Sequence, residues 1–165
     1  MKKDIGVGVI GIGMGANMLA LNDEPESRFE VRGICSATES KVKTLAKKRS
    51  IKIATTDYRE LLDCKDIDVI GIYSPDHLHG KHAIDSLLAG KHVVCTKPMV
   101  TTMEECEEIV RLVDKTGLKF LVGQTMRFDS EFVNAKKLYD DGDLGDIIFA
   151  EAHYVHDLRG IGEIT

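Results

Sequence analysis

Ile5-Gly6-Val7-Gly8-Val9-Ile10-Gly11-Ile12-Gly13-Met14-Gly15-Ala16 is the stretch on which the fold turns. An apolar run ends in Gly11-x-Gly13-x-x-Ala16 and passes into Asn17-Met18-Leu19-Ala20-Leu21, which reads as a buried strand, a tight turn and the opening of a helix. Such a junction is a phosphate cradle: Gly11 permits the sharp turn, Gly13 lets the backbone approach a pyrophosphate, and Ala16 keeps the helix close to the sheet. The unpaired N–H groups of the helix start face the anion. A plain strand-helix turn uses the same glycines, so the flanking pattern has to carry the distinction.

Outward from this turn, strand and helix signals alternate. Phe29–Cys35 reads as a second strand, and residues 38–49, with Val42, Leu45 and Ala46 on one face, as an amphipathic helix. A third strand over 51–54, a short helix over 58–62 and a fourth strand over 68–73 follow. A helix over 76–89 ends at Gly90, and a fifth strand covers 92–95. A helix over 102–116, acidic at its start, ends at Gly117, and a sixth strand covers 118–123. Six strands separated by helices predict an α/β fold, a doubly wound parallel Rossmann sheet over residues 1–123. Residues 124–165 are expected to begin a second domain.

The balance of 22 basic and 27 acidic residues leaves no cationic surplus for a nucleic-acid backbone or an anionic membrane, so neither partner is expected. The start Met1-Lys2-Lys3-Asp4 precedes too short an apolar run for a signal segment, and a cytoplasmic protein is the expectation. Cys35, Cys64, Cys95 and Cys106 lack zinc-ligand spacing and read as reduced thiols. His77, His79 and His82 form H-x-H-x-x-H, but a metal site would need acidic or cysteine partners converging with them, and no metal is expected there.

In a doubly wound sheet the ligand lies beyond the carboxyl ends of the strands. Candidate cofactor contacts are therefore Gly11, Gly13, Met14 and Gly15 in the first turn, Ser36 and Lys41 after the second strand, Tyr73, Ser74 and Pro75 after the fourth, Thr96 after the fifth and Gln124 after the sixth. No acid follows the second strand, where an NAD-binding chain usually presents one to the ribose hydroxyls. Ser36 with Lys41 is suited to a 2'-phosphate, which favours NADP, with NAD possible. A helix-capping Ser36 and a solvated Lys41 are the plainer alternative. An adenosylmethionine-dependent transferase shares the glycine-rich turn but wants the missing acid.

Taken together, the glycine turn, Ser74-Pro75-Asp76-His77-Leu78-His79, Gly90-Lys91-His92-Val93-Val94-Cys95-Thr96-Lys97-Pro98 and Gly142-Asp143-Leu144-Gly145 resemble the Gfo/Idh/MocA family, the glucose-fructose oxidoreductase and inositol dehydrogenase relatives. The family's Glu-Lys-Pro is Thr96-Lys97-Pro98 in this chain, and Asp76 stands where asparagine is common. The resemblance implies an NAD(P)-dependent dehydrogenase, with hydride transfer between a nicotinamide and a sugar, polyol or related carbonyl or alcohol. It implies Lys97 as the catalytic group, a cis bond before Pro98, and His79 lining the cofactor crevice; His77 and His82 read as solvated residues. A surface lysine is the alternative for Lys97.

By the same resemblance, Gln124-Thr125-Met126-Arg127-Phe128-Asp129 crosses into an α+β substrate and oligomerisation domain, through which a homo-oligomer is expected. A helix through Tyr139 and a strand over 146–155 would be its first elements, in a truncated form. The Asp and His partners of the lysine are not expected among these residues, His156-Asp157 lying too soon after the strand. That strand would have no partners in this chain and is expected to fray or to pair with another copy. A non-catalytic dinucleotide-binding or regulatory module is the second reading.

Overall fold

The computed structural model of the chain describes residues 3–155. Two compact units divide it, Met1–Gly123 and Gln124–Thr165. The first is built on six strands: β1 (Ile5–Ile10), β2 (Phe29–Cys35), β3 (Ile53–Thr55), β4 (Val69–Ile72), β5 (His92–Thr96) and β6 (Phe120–Gly123). All pair in parallel in the order β3-β2-β1-β4-β5-β6. The chain leaves β1 for β2 on one side and returns from β3 to β4 on the other, so the order reverses between β1 and β4, where such sheets open a ligand crevice.

Burial on both faces explains why the strand sequences read as continuous apolar runs. Successive side chains alternate across the sheet. Ile10, Ile70 and Ile72 join Ala83, Leu87, Ile109 and Leu112 on one face. Val7, Val9, Val31, Ile34 and Val69 join Leu19, Val42 and Ala46 on the other. Each such aliphatic side chain withdrawn from water contributes about 1.5–3 kcal/mol before the entropy of ordering is charged against it.

The connecting helices are α1 (Glu39–Arg49), α2 (Arg59–Asp63), α3 (His79–Leu88) and α4 (Met103–Thr116). α4 shows how sequence fixes both ends. Thr102 Oγ1 accepts from the amide of Glu105 at 3.3 Å, Glu104 and Glu105 occupy the positive first turn, and Lys115 the last. Gly117 ends it at φ 70°, a conformation a side chain resists. The helix expected over 76–89 begins instead as a 3-10 turn over Asp76–Leu78 before α3. The segment after the glycine turn is also a 3-10 helix, Met14–Asn22.

The second unit contains a 3-10 turn, Thr125–Phe128, and α5 (Ser130–Asp140). The strand expected over 146–155 does not form: residues 145–155 are neither helix nor strand. A strand exists only through its ladder, and among the described residues nothing pairs with this segment, so its apolar alternation has no sheet to act on.

Candidate functional site

The carboxyl ends of β1, β2 and β4 enclose a cleft of about 370 Å³. Ile10–Gly13 after β1, Cys35–Ala37 after β2, and Tyr73–Pro75 after β4 line it, with Thr56, Tyr58, Leu78 and His82 closing the far side. Backbone hydrogen bonds hold the three tips together: the Gly11 amide donates to Cys35 O at 2.9 Å, and the Tyr73 amide donates to Ile10 O at 2.7 Å.

The three glycines of the turn carry different loads. Gly11 has φ 91°, and a Cβ there would stand 2.2 Å from Tyr73 O, so this position tolerates no side chain. A Cβ at Gly15 would press on Val9 Cγ1 at 2.9 Å and on Tyr73 at 3.0 Å. The close approach expected of Ala16 therefore falls one residue earlier, and Ala16 is only half-buried against the sheet. At Gly13 a Cβ would meet nothing within 4 Å. That glycine is not required by packing; it leaves space at the head of the cleft. Among the described residues no lysine or arginine lines the cleft, so of these the backbone N–H groups are what an anion would meet there.

Ser36 lines the cleft and is not the cap of α1. Thr38 holds the cap position, and Ser36 Oγ accepts from its amide at 3.4 Å. Lys41 lies elsewhere, in a shallow groove with Ser40, Thr44, Leu45 and Lys48. Tyr73, Ser74 and Pro75 line the cleft. Met14, Gly15 and Thr96 do not line it: Met14 is exposed, Gly15 is buried under Tyr73, and Thr96 ends β5. Lys97 is exposed just beyond Thr96, and the Lys97-Pro98 bond is cis, as the resemblance implied. Gln124 belongs to the second unit. His156 and Asp157 lie outside the described residues.

The histidines depart most from expectation. His79 is fully buried behind the cleft rather than lining it, with Nδ1 2.7 Å from Pro98 O and Nε2 2.8 Å from Ser74 O. His82, expected in solvent, is buried and lines the cleft. Its Nδ1 lies 2.9 Å from Ser74 Oγ, and its ring stacks at a tilt on Tyr58, centroids 4.3 Å apart. Burial, with Lys81 adding to it, pushes the His82 imidazole down to about 4, so it is neutral at physiological pH. The Tyr58 hydroxyl donates to Asp85 Oδ2 at 2.5 Å, which also accepts from Lys81 Nζ at 2.6 Å. Although burial works the other way, these two donors hold the Asp85 carboxyl below the usual carboxylate range. Among the described residues no group of three or more His, Cys, Asp or Glu is arranged to hold a metal ion, and no helix is long and apolar enough to cross a membrane.

Sequence reasoning missed Thr56, Tyr58, Leu78 and His82 as cleft residues. For His82 a signal was present: His79, His82, Ala83 and Ser86 recur at helical spacing with Leu87, a stripe that marks the buried side of α3.

Comparison with known proteins agrees with the fold. Residues 5–124 match Gfo/Idh/MocA, the oxidoreductase family with an NAD-binding Rossmann fold. The uncharacterized oxidoreductase YrbE of Bacillus subtilis (strain 168) is 32% identical over 145 residues, 88% of this chain and 42% of that protein. Inositol 2-dehydrogenase of Salmonella typhimurium is 28% identical over 151 residues, 89% of this chain and 45% of that one. Among solved structures, scyllo-inositol dehydrogenase from Lactobacillus casei with bound cofactor NAD(H) and scyllo-inositol superposes with a TM-score of 0.79 at 28% identity, covering 87% of this chain and 43% of the other. The chain thus spans less than half the length of the curated relatives it matches.

Proposed function

Because the chain belongs to the Gfo/Idh/MocA family of oxidoreductases, we propose that its first unit, residues 1–123, binds a nicotinamide dinucleotide in the cleft after β1, β2 and β4. As part of a whole-length dehydrogenase it would act on a sugar, polyol or related substrate. The observation that carries this reading is Gly13, where a Cβ would meet nothing within 4 Å at the head of the cleft. No neighbouring atom crowds this position, and the open space fits a ligand whose pyrophosphate comes against the backbone. The lining fits such a group: backbone N–H donors at the β1 turn, the Ser36 and Ser74 hydroxyls, and apolar surface from Ile12, Ala37, Pro75 and Leu78.

When bound, the nicotinamide supplies the site that accepts or gives hydride. Lys97, at the carboxyl end of β5, would take or return the proton at the substrate oxygen, a general acid-base role. Residues 124–165 would begin the substrate and oligomerisation domain. The apolar side chains Phe128, Phe132, Val133 and Tyr139 exposed on its helical turns support a unit that is covered in the whole protein. The polyol and sugar class follows from what the relatives' names say they act on.

At the adenosine end, Ser36 replaces the acid that would repel a 2'-phosphate, and this supports NADP(H) over NAD(H). Lys41 does not add to that reading, since it lies in a separate groove. The chain spans less than half of its relatives, so binding rather than turnover is the test. Titration with NADPH and NADH, following the fluorescence of each, should show both binding, NADPH the tighter. Ser36→Asp should reverse the order by weakening NADPH about tenfold, or about 1.4 kcal/mol. Binding of neither cofactor would overturn the function, and an unchanged order in Ser36→Asp would overturn the NADP preference alone.

A further inference from the structure

His79 has a hydrogen-bonding problem that only one form of the ring solves. Both of its nitrogens face backbone carbonyl oxygens, Nδ1 at 2.7 Å from Pro98 O and Nε2 at 2.8 Å from Ser74 O, and the side chain is fully buried. Carbonyl oxygens accept and never donate. A neutral imidazole has one N–H and one lone pair, so it would satisfy one carbonyl and set its lone pair against the other. Buried and dry, that second contact is unfavourable by as much as an unmade hydrogen bond. The imidazolium donates to both.

The surroundings match a cation at this point. The Glu105 carboxylate of α4 packs on Gly80, the residue after His79, so closely that a Cβ there would be 2.2 Å from Glu105 Cδ. Glu105 Oε2 is buried and has no hydrogen-bond partner. A buried, unpartnered carboxylate oxygen is costly in isolation, and a positive charge nearby would offset that cost. One turn further along α3, burial holds His82 neutral.

We infer that His79 is a positioning residue acting as a buried imidazolium strut: its two N–H groups tie the carbonyl of Ser74, in the loop after β4, to the carbonyl of Pro98, in the loop after β5. The first loop lines the cleft and the second carries Lys97. One side chain thereby sets the distance between the dinucleotide's seat and the lysine. The inference rests on the proposed roles of the cleft and of Lys97 for its functional meaning, whereas the form of the ring stands on geometry alone.

Two measurements on the 165-residue chain separate these parts. With histidine labelled in 15N at pH 7, long-range proton-nitrogen correlation should show one ring with both nitrogens protonated, and this signal should vanish in His79→Gln. A neutral tautomer at His79 would overturn the strut whether or not any variant folds. In the second measurement, His79→Gln should keep a cooperative unfolding transition yet bind NADPH about tenfold more weakly, because the glutamine amide can donate to one carbonyl while its oxygen repels the other. Unchanged affinity in a folded His79→Gln would overturn the positioning role. Failure of the unsubstituted chain to bind either cofactor counts against the proposed function, and the nitrogen spectrum still decides the form of the ring.

Discussion

The Ser74 hydroxyl lies 2.9 Å from Nδ1 of His82, at the point where the loop after β4 turns back on α3. The same serine offers its carbonyl to His79 at 2.8 Å, so the wall of the cleft is gripped at both polar ends by buried histidines eight and five residues further along the chain. Stability and ligand binding therefore meet in this loop.

His82 makes the fold sensitive to mild acid. Its folded-state value is lowered to about 4 from an ordinary 6.5, first by burial. Between these values the unfolded chain binds a proton that the native ring refuses, so stability is full above about pH 6.5 and declines as pH falls toward 4. Allowing for solvent screening, the loss is about 1–2 kcal/mol. Urea midpoints at pH 7.5 and pH 5 should differ accordingly, and His82→Gln should remove most of the difference. An equal drop in the variant would assign the acid sensitivity to other groups.

Gly11 and Gly13, two residues apart, should respond differently to alanine. Gly11→Ala forces a side chain into φ 91° and against Tyr73 O, and should cost about 2 kcal/mol or more of stability. Gly13→Ala meets no neighbouring atom but inherits a backbone of φ −64° and ψ −100°, so it should cost about 1 kcal/mol, less than Gly11→Ala, while weakening NADPH about tenfold by filling the cradle. Melting curves with cofactor titrations on both variants check this; a Gly13→Ala chain with unchanged affinity would remove the pyrophosphate from that position.

What the sequence showed follows the range of the interactions involved. The glycine turn and the apolar runs are local, and each of the six strands stands within a few residues of its expected place. The separation of Gly11, Gly13 and Gly15 into three roles depends on where Tyr73 and Val9 sit, and residue spacing does not carry that. His82 was taken for a solvated residue because its partners, Ser74 and Tyr58, come from elsewhere in the chain. Lys41, in the first turn of α1, lines a groove with Ser40, Thr44, Leu45 and Lys48. The segment 146–155 has strand alternation and no strand, since pairing is a property of two segments.

The thiols should sort by burial. Burial, helped by the charges of Asp57 and Glu60, pushes Cys35 up to about 11, and burial pushes Cys95 up to about 12, so neither offers thiolate at neutral pH. Cys64 and Cys106 are half-buried. Ellman's reagent at pH 7.5 should therefore titrate two thiols quickly in the native chain, and all four only after unfolding. Rapid loss of Cys35, identified by peptide mapping, would mean that the cleft opens more than this structure allows.

Gly80 and Glu105 should be energetically coupled across α3 and α4. Alanine is better than glycine inside a helix by up to about 1 kcal/mol, and Gly80, the second residue of α3, gains part of that, so Gly80→Ala alone has a favourable local component. Against it stands the Glu105 carboxylate, with Cδ 2.2 Å and its oxygens 2.4 and 2.5 Å from the new Cβ. The carboxylate ends a flexible side chain, so it moves rather than the backbone, and its charge leaves the first turn of α3. The variant should consequently be no more stable than the parent chain. In a Glu105→Ala background the obstruction is gone, and Gly80→Ala should stabilise by about 0.5–1 kcal/mol. A double-mutant cycle in urea, with all four chains under one buffer, reads this coupling directly. Additive effects would mean that α3 and α4 yield at this contact without cost, and that Glu105 is not held against Gly80 in solution.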